Sequence, residues 1–209
     1  MAISKVVIAN MALAHIGTKS NIQSFDEKSP EAKQCSLWYD FCLQQALEGF
    51  DWSFARTRKP LAVDGDAPPE QWGFRYQLPA DCIATRRIWN PSGDDADAVP
   101  YELEINSNDV RTLLTDLDSA VLVYTRSVTN AAIFPPLFVE LVSRGLAQHI
   151  AFSITGKLEI VKAQSDTYQS LLRSAPAYDA NERVGKPPRD AEWIRGRSFN
   201  GYFDRKLAR

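Results

Sequence analysis

The sequence predicts an α+β fold in which N- and C-terminal helices form one helical bundle, an antiparallel β lobe is inserted between them, and an extended arm closes the chain. Three observations carry this. Apolar residues recur at helical spacing toward both ends of residues 1–183, the middle switches to period two, and after Val184 neither period survives. The boundaries that follow are 1–55 for the N-terminal helices, 56–130 for the β lobe, 131–183 for the C-terminal helices and 184–209 for the arm.

The first helix is predicted from Ile3, Val7, Met11 and Ala14 and stops at Gly17. Ser29-Pro30-Glu31 then supplies an N-cap, a proline at the first helical position and an acid at the positive helix end. The helix it opens carries Ala32, Cys35, Trp38/Tyr39, Cys42 and Ala46 on one stripe and ends near Gly49 and Phe50. Helix returns after Pro135-Pro136 with Leu137, Leu141, Leu146/Ala147 and Ile150/Ala151, and stops at Thr155-Gly156. A last helix begins near Lys157 and presents Ile160/Val161, Gln164, Tyr168, Leu171/Leu172 and Ala175. Pro176 is expected to kink or end it, because an interior proline costs about 3 kcal/mol. The tight turn at Gly156 makes these two helices an antiparallel pair.

Five or so antiparallel strands are expected in the middle. Tyr101-Glu102-Leu103-Glu104-Ile105 alternates apolar and acidic residues and reads as a strand with one wet face. Asn106–Asp109 is a turn cluster that folds Val110–Leu114 back on it as a hairpin. Phe74–Leu78, Ile83–Trp89 and Ala120–Val128 are the remaining strands. The segments Asp64–Pro69 and Pro91–Pro100 are rich in Asp, Gly and Pro and are expected as exposed loops.

The chain has 209 residues, 44% hydrophobic and 24% charged, a composition that places it among ordinary globular proteins with a core of useful size. Apolar stretches such as Ile150–Ile154 fall far short of the roughly 20 residues that span a bilayer, so no membrane span is expected. No secretion signal opens the chain, and synthesis in the cytoplasm follows as the expectation. Cys35, Cys42 and Cys82 are odd in number and have no CxxC spacing, which predicts buried free thiols. Net charge is −2 but unevenly spread. Residues 183–209 hold eight Lys or Arg against three acids, a net +5, and the body therefore carries −7. An acidic body argues against a dedicated nucleic-acid binder, whose affinity would come from neutralising phosphates.

The chemical signatures are mostly missing. No HExxH, GxSxG, P-loop or GxGxxG occurs, and His15 and His149 lie on different helices, where a satisfied ring is the simpler reading. Glu102 and Glu104 share a strand face at roughly 7 Å, a spacing a glycosidase can use, but a solvated strand face already explains them. Asp94-Asp95-Ala96-Asp97 lacks the ligand order of a calcium loop. The clusters Arg56/Arg58/Lys59 and Arg86/Arg87, the second beside Ile88-Trp89, fit a protein interface better than base stacking. No catalytic residue, cofactor or metal is assigned. In the arm, Trp193, Ile194, Phe199, Tyr202 and Phe203 form no core of their own and need a partner surface.

Read in order, a series of segments resembles the tail tubular protein A family, the head-to-tail adaptor of short-tailed bacteriophages. They are Asn10–Gly17; Glu31-Ala32 with Cys35 and Tyr39-Asp40; Phe50–Ala55; Trp72–Cys82; Pro100–Glu102; Tyr124 with Val128-Thr129; Phe134–Phe138; Leu146-Ala147; Ile154–Gly156; and Tyr178–Glu182. The resemblance covers nearly all of the chain to about residue 182, and it rests on the order of the segments, since none is specific alone. It implies a non-enzymatic virion protein at the head-tail junction, with about twelve copies in a ring that joins the portal protein to a tail nozzle of the tail tubular protein B type. Duplex DNA would pass through the bore without sequence-specific binding. The arm after Val184 departs from the family's pattern, and its partner is argued from composition. Trp193, Phe199, Tyr202 and Phe203 are expected as buried anchors on the portal, with Arg195 and Arg197 paired to carboxylates. Two alternatives belong to other classes: a virion-associated peptidoglycan hydrolase, which measured turnover would reveal, and an adaptor at another joint of a long-tailed phage.

Overall fold

Among the described residues, four α-helices and seven strands, the strands all antiparallel in their pairing, make this an α+β protein. The computed structural model describes residues 3–89 and 98–181. The first helix, α1, spans Lys5–His15 and is capped by Ser4, whose hydroxyl accepts from Val7 N. The second, α2, spans Pro30–Gly49 with Ser29 accepting from Ala32 N and Pro30 at the first helical position, as its sequence predicts. Helix α3 (Pro136–Thr155) ends on Gly156 at φ +68°, a left-handed cap that a side chain would strain. Helix α4 (Leu158–Asn181) follows directly.

Helix α3 is the centre of the bundle. Phe138, Leu141, Val142, Leu146, Ile150 and Ala151 are fully buried along it, and it packs on α1, α2 and α4. Gly145 permits a close approach, since a Cβ there would stand 3.2 Å from the Tyr168 ring of α4 and 3.9 Å from Cys42 of α2. Aromatic residues from the segment after α2 complete this core. Phe138 lies against Trp52, Phe54 and Phe134 at centroid separations of 5.1, 4.9 and 4.9 Å. Cys35 and Cys42 are buried in it as free thiols, and burial pushes them up to about 11 and about 12.

Pro176 lies inside α4, which continues to Asn181, so the expected break does not end the helix. The missing N–H frees one carbonyl a turn earlier. Contacts on either side of the proline hold the last turn: Ala175 is fully buried, and Asp179 accepts from Ser53 N at 2.9 Å.

The strands are β1 (Arg56–Pro60), β2 (Ala62–Val63), β3 (Phe74–Gln77), β4 (Cys82–Ile88), β5 (Glu102–Ile105), β6 (Arg111–Thr115) and β7 (Val121–Arg126). They form one sheet in the order β1-β7-β4 and another in the order β2-β3-β6-β5. Tyr76 and Leu113 of the second sheet meet Ile88, Leu122 and Tyr124 of the first in a small core of their own. The hairpin expected around Asn106–Asp109 is present, with Glu102 opposite Leu114 and Ile105 opposite Arg111. Asn106 Oδ1 closes it by accepting from Asn108 N and Val110 N.

Three expectations for the β region need correction. The described residues contain seven strands instead of five or so, because β1 is mostly charged, β2 is only two residues long, and both owe their place to backbone pairing with β7 and β3. Strand β5 keeps its alternation but lies at an open edge: Leu103, opposite Leu113 on the side of the small core, and Ile105 are 39% and 64% exposed, while Glu104, opposite Thr112 on the other side, is half-buried. Arg75 is buried on the Glu104 side of the sheet, and its guanidinium donates to Glu104 at 3.1 Å and to Thr112 Oγ1 at 3.3 Å. A buried cation without its carboxylate is costly, so the acidic side of β5 is not simply wet. In the Asp64–Pro69 loop, Asp64 is buried, accepts from Asn106 Nδ2 and Asp66 N, and is held below the usual carboxylate range by those bonds. The proposed anchors Trp193, Arg195, Arg197, Phe199, Tyr202 and Phe203, the whole 184–209 arm and Asp94–Asp97 lie outside the described residues.

Candidate functional site

The site the structure offers is a set of surfaces. On α2, the residues at core spacing are Ala32, Cys35, Tyr39, Cys42, Leu43, Ala46 and Leu47. Leu37 and Phe41 fall two positions out of that phase and are 66% and 51% exposed. Helices α2 and α3 run antiparallel, with Cys42 beside Gly145 and Trp38 stacked on His149 at 4.6 Å and 10°. Phe41 meets the same imidazole edge-on at 5.7 Å. One helical turn on, Phe152 is 55% exposed on the same side of α3. Leu37, Trp38, Phe41, His149 and Phe152 thus form a surface ridge of apolar and aromatic groups, the kind of surface a partner covers. The signal was legible as out-of-phase apolar residues on an amphipathic helix, but the sequence reading merged Trp38 with Tyr39 in one stripe. Tyr39 alone is buried.

The arginine clusters divide between internal and external duties. Arg86 is an internal strut and not the interface residue its sequence neighbourhood suggested. Its Nη2 donates to the carbonyls of Leu47, Glu48 and Phe50 at 3.1, 3.0 and 2.7 Å, and its Nε donates to Thr125 Oγ1 at 2.8 Å. These carbonyls are the unpaired negative end of α2, so a cation from β4 caps the helix and ties the sheet to the bundle. Arg56 is also internal, its Nε donating to both Asp51 carboxylate oxygens at 2.8 and 2.9 Å. Arg58 and Lys59 are exposed.

Glu102 and Glu104 are both engaged, the first accepting from Trp72 Nε1 at 3.2 Å and the second paired with Arg75. Between α2 and the ends of β4 and β7 lies an open polar groove of about 370 Å³ that includes Glu48, Asp81, Arg111 and Ser127. Asp81 there accepts from Tyr124 Oη at 2.9 Å, and burial together with that carboxylate pushes the phenol up to about 12. Among the described residues, no group of three or more His, Cys, Asp or Glu is placed to hold a metal, and no helix is long and apolar enough to cross a membrane.

His15 stands 3.1 Å from Ser143 Oγ and 3.7 Å from Glu140. Burial lowers its pKa below 6.5, Arg144 lowers it further, and Glu140 opposes. Burial also lowers His149. For both, the unfolded chain binds protons more readily than the folded one, so their contribution to stability is complete above pH 6.5 and is lost as pH falls below it. Urea midpoints measured from pH 8 to pH 5 are expected to fall in that window, and a His15→Gln/His149→Gln chain should show a flatter profile. An equally steep fall in that double variant would assign the effect elsewhere.

No protein-family model and no curated protein matches the chain.

Proposed function

We propose that this chain is a structural head-to-tail adaptor of a short-tailed bacteriophage virion, one subunit of a twelve-membered ring between portal and tail nozzle that encloses the DNA channel for genome retention and ejection. The observation that carries the reading is the collinear series of family-like segments from Asn10 to Glu182. Two further features support it. Leu37, Trp38, Phe41, His149 and Phe152 make an apolar ridge that a neighbouring subunit or ring would cover. The body's −7 charge suits a bore that repels phosphate and lets duplex DNA slide without sequence-specific attachment.

In this reading residues 184–209 anchor the adaptor to the portal, with Trp193, Phe199, Tyr202 and Phe203 as apolar anchors and Arg195 and Arg197 on carboxylates. Aromatic and arginine residues dominate interface energies, at about 2 kcal/mol or more for each hot-spot residue. A chain ending at residue 183 is expected to keep its folded body and lose portal joining. Trp193→Ala and Phe199→Ala should weaken joining more than Arg195→Ala does. Unchanged portal affinity after truncation would refute the anchor, and tight, salt-sensitive duplex binding by the truncated body would refute the sliding bore.

A further inference from the structure

We propose that the outer strands β1 and β5 are complementary docking edges through which one copy of this chain joins a second copy head to tail. Strand β1 ends the three-stranded sheet and β5 ends the four-stranded one, so among the described residues each is paired on one side only. The free side of an outer strand directs alternate N–H and C=O groups away from its sheet, a row that templates another strand. Their charges are opposite. Strand β1 reads Arg56-Thr57-Arg58-Lys59-Pro60, and β5 reads Glu102-Leu103-Glu104-Ile105.

Internal pairs occupy part of this charge, Arg56 on Asp51 and Glu104 on Arg75. What is left exposed is Arg58 and Lys59 on one edge and Glu102 on the other, the last engaged only by Trp72 Nε1 among the described residues. The exposed Leu103 and Ile105 share the face opposite Glu102, so with a partner's Lys59 beside Glu102 the aliphatic stem of its Arg58 can cover them. At five and four residues the strands match over roughly 14 Å.

The two edges lie on opposite sides of the β region. Leu61 alone joins β1 to β2, which places β1 at the β2 end of the second sheet, the end remote from β5. The other margin of the first sheet, β4, reaches the β5 side, where Thr85 Oγ1 stands 3.5 Å from Tyr101 Oη just before β5. A chain with a basic edge on one side and an acidic edge on the other fits a second copy of itself. Contacts between unlike surfaces propagate as a ring or filament instead of closing as a two-fold dimer. The inference deepens the adaptor reading and rests on it only for closure of the ring.

The test uses the full chain alone, concentrated and at low salt, where exposed charges are least screened. A carbodiimide couples a carboxylate directly to a touching amine, and the expected product is a dimer linked Lys59 to Glu102, mapped by mass spectrometry. In sedimentation velocity, Arg58→Glu/Lys59→Glu should weaken self-association tenfold or more, Glu102→Lys should do the same, and the chain with all three changes should regain it. That recovery separates a broken contact from a misfolded variant. Absence of any dimer, or charge-reversed chains that associate like the parent, would overturn the proposal. A chain that forms this link yet never joins a portal would sink the adaptor reading and leave the strand contact standing, while portal joining without the link would do the reverse.

Discussion

Replacing Phe138 by alanine is expected to destabilise the protein by about 3–5 kcal/mol, the largest effect of any single substitution considered. Phe138 is fully buried at the point where α3 meets the aromatic segment after α2, and its ring touches Trp52, Phe54 and Phe134. Its removal loses the transfer energy of the ring and leaves a cavity walled by three large side chains with little freedom to collapse. Phe152→Ala is the matched control. That residue is 55% exposed on the same helix, and its loss should move stability by no more than about 0.5 kcal/mol. Urea unfolding of the two variants decides the matter. Similar losses in both would contradict the assignment of one ring to the core and the other to a contact surface.

The second large effect is expected at Arg86. Arg86→Ala should cost about 3 kcal/mol, because the carbonyls at the end of α2 and Thr125 Oγ1 lose one shared donor in a half-buried setting. Arg86→Lys should recover less than half of that loss. An ammonium supplies the charge but not the planar fork that reaches three carbonyls and a hydroxyl at once. Hydrogen exchange in β4 and β7 should accelerate with the alanine change, since the strut joins those strands to the bundle. A loss below about 1 kcal/mol, or full rescue by lysine, would show that the contact is peripheral.

The helices were legible in the sequence because their determinants are local. Ser29-Pro30-Glu31 and Gly156 mark ends within a few residues, and the stripes on α2 and α3 are set by spacing alone. The Asn106 turn and its hairpin were legible for the same reason. Strands β1 and β2 were not, because their charged or short sequences gain a strand identity only from β7 and β3. The pairing of Glu104 depends on Arg75, 29 residues away, and the role of Arg86 on carbonyls 36 to 39 residues away. No local pattern encodes such partners. The ridge on α2 and α3 did leave a trace, in the phase error of Leu37 and Phe41. Pro176 misled because a propensity rule ignores the tertiary contacts that hold Ala175 and Asp179 in place.

The central proposal, that this chain is a ring adaptor, is tested most directly by the mass of the assembly formed when it is mixed with a portal ring of a short-tailed phage. Native mass spectrometry of the mixture is expected to show the portal mass increased by twelve chains of 23.4 kDa, with no stable partial occupancy once the chain is in excess. A portal mass that stays unchanged at saturating chain would contradict the account.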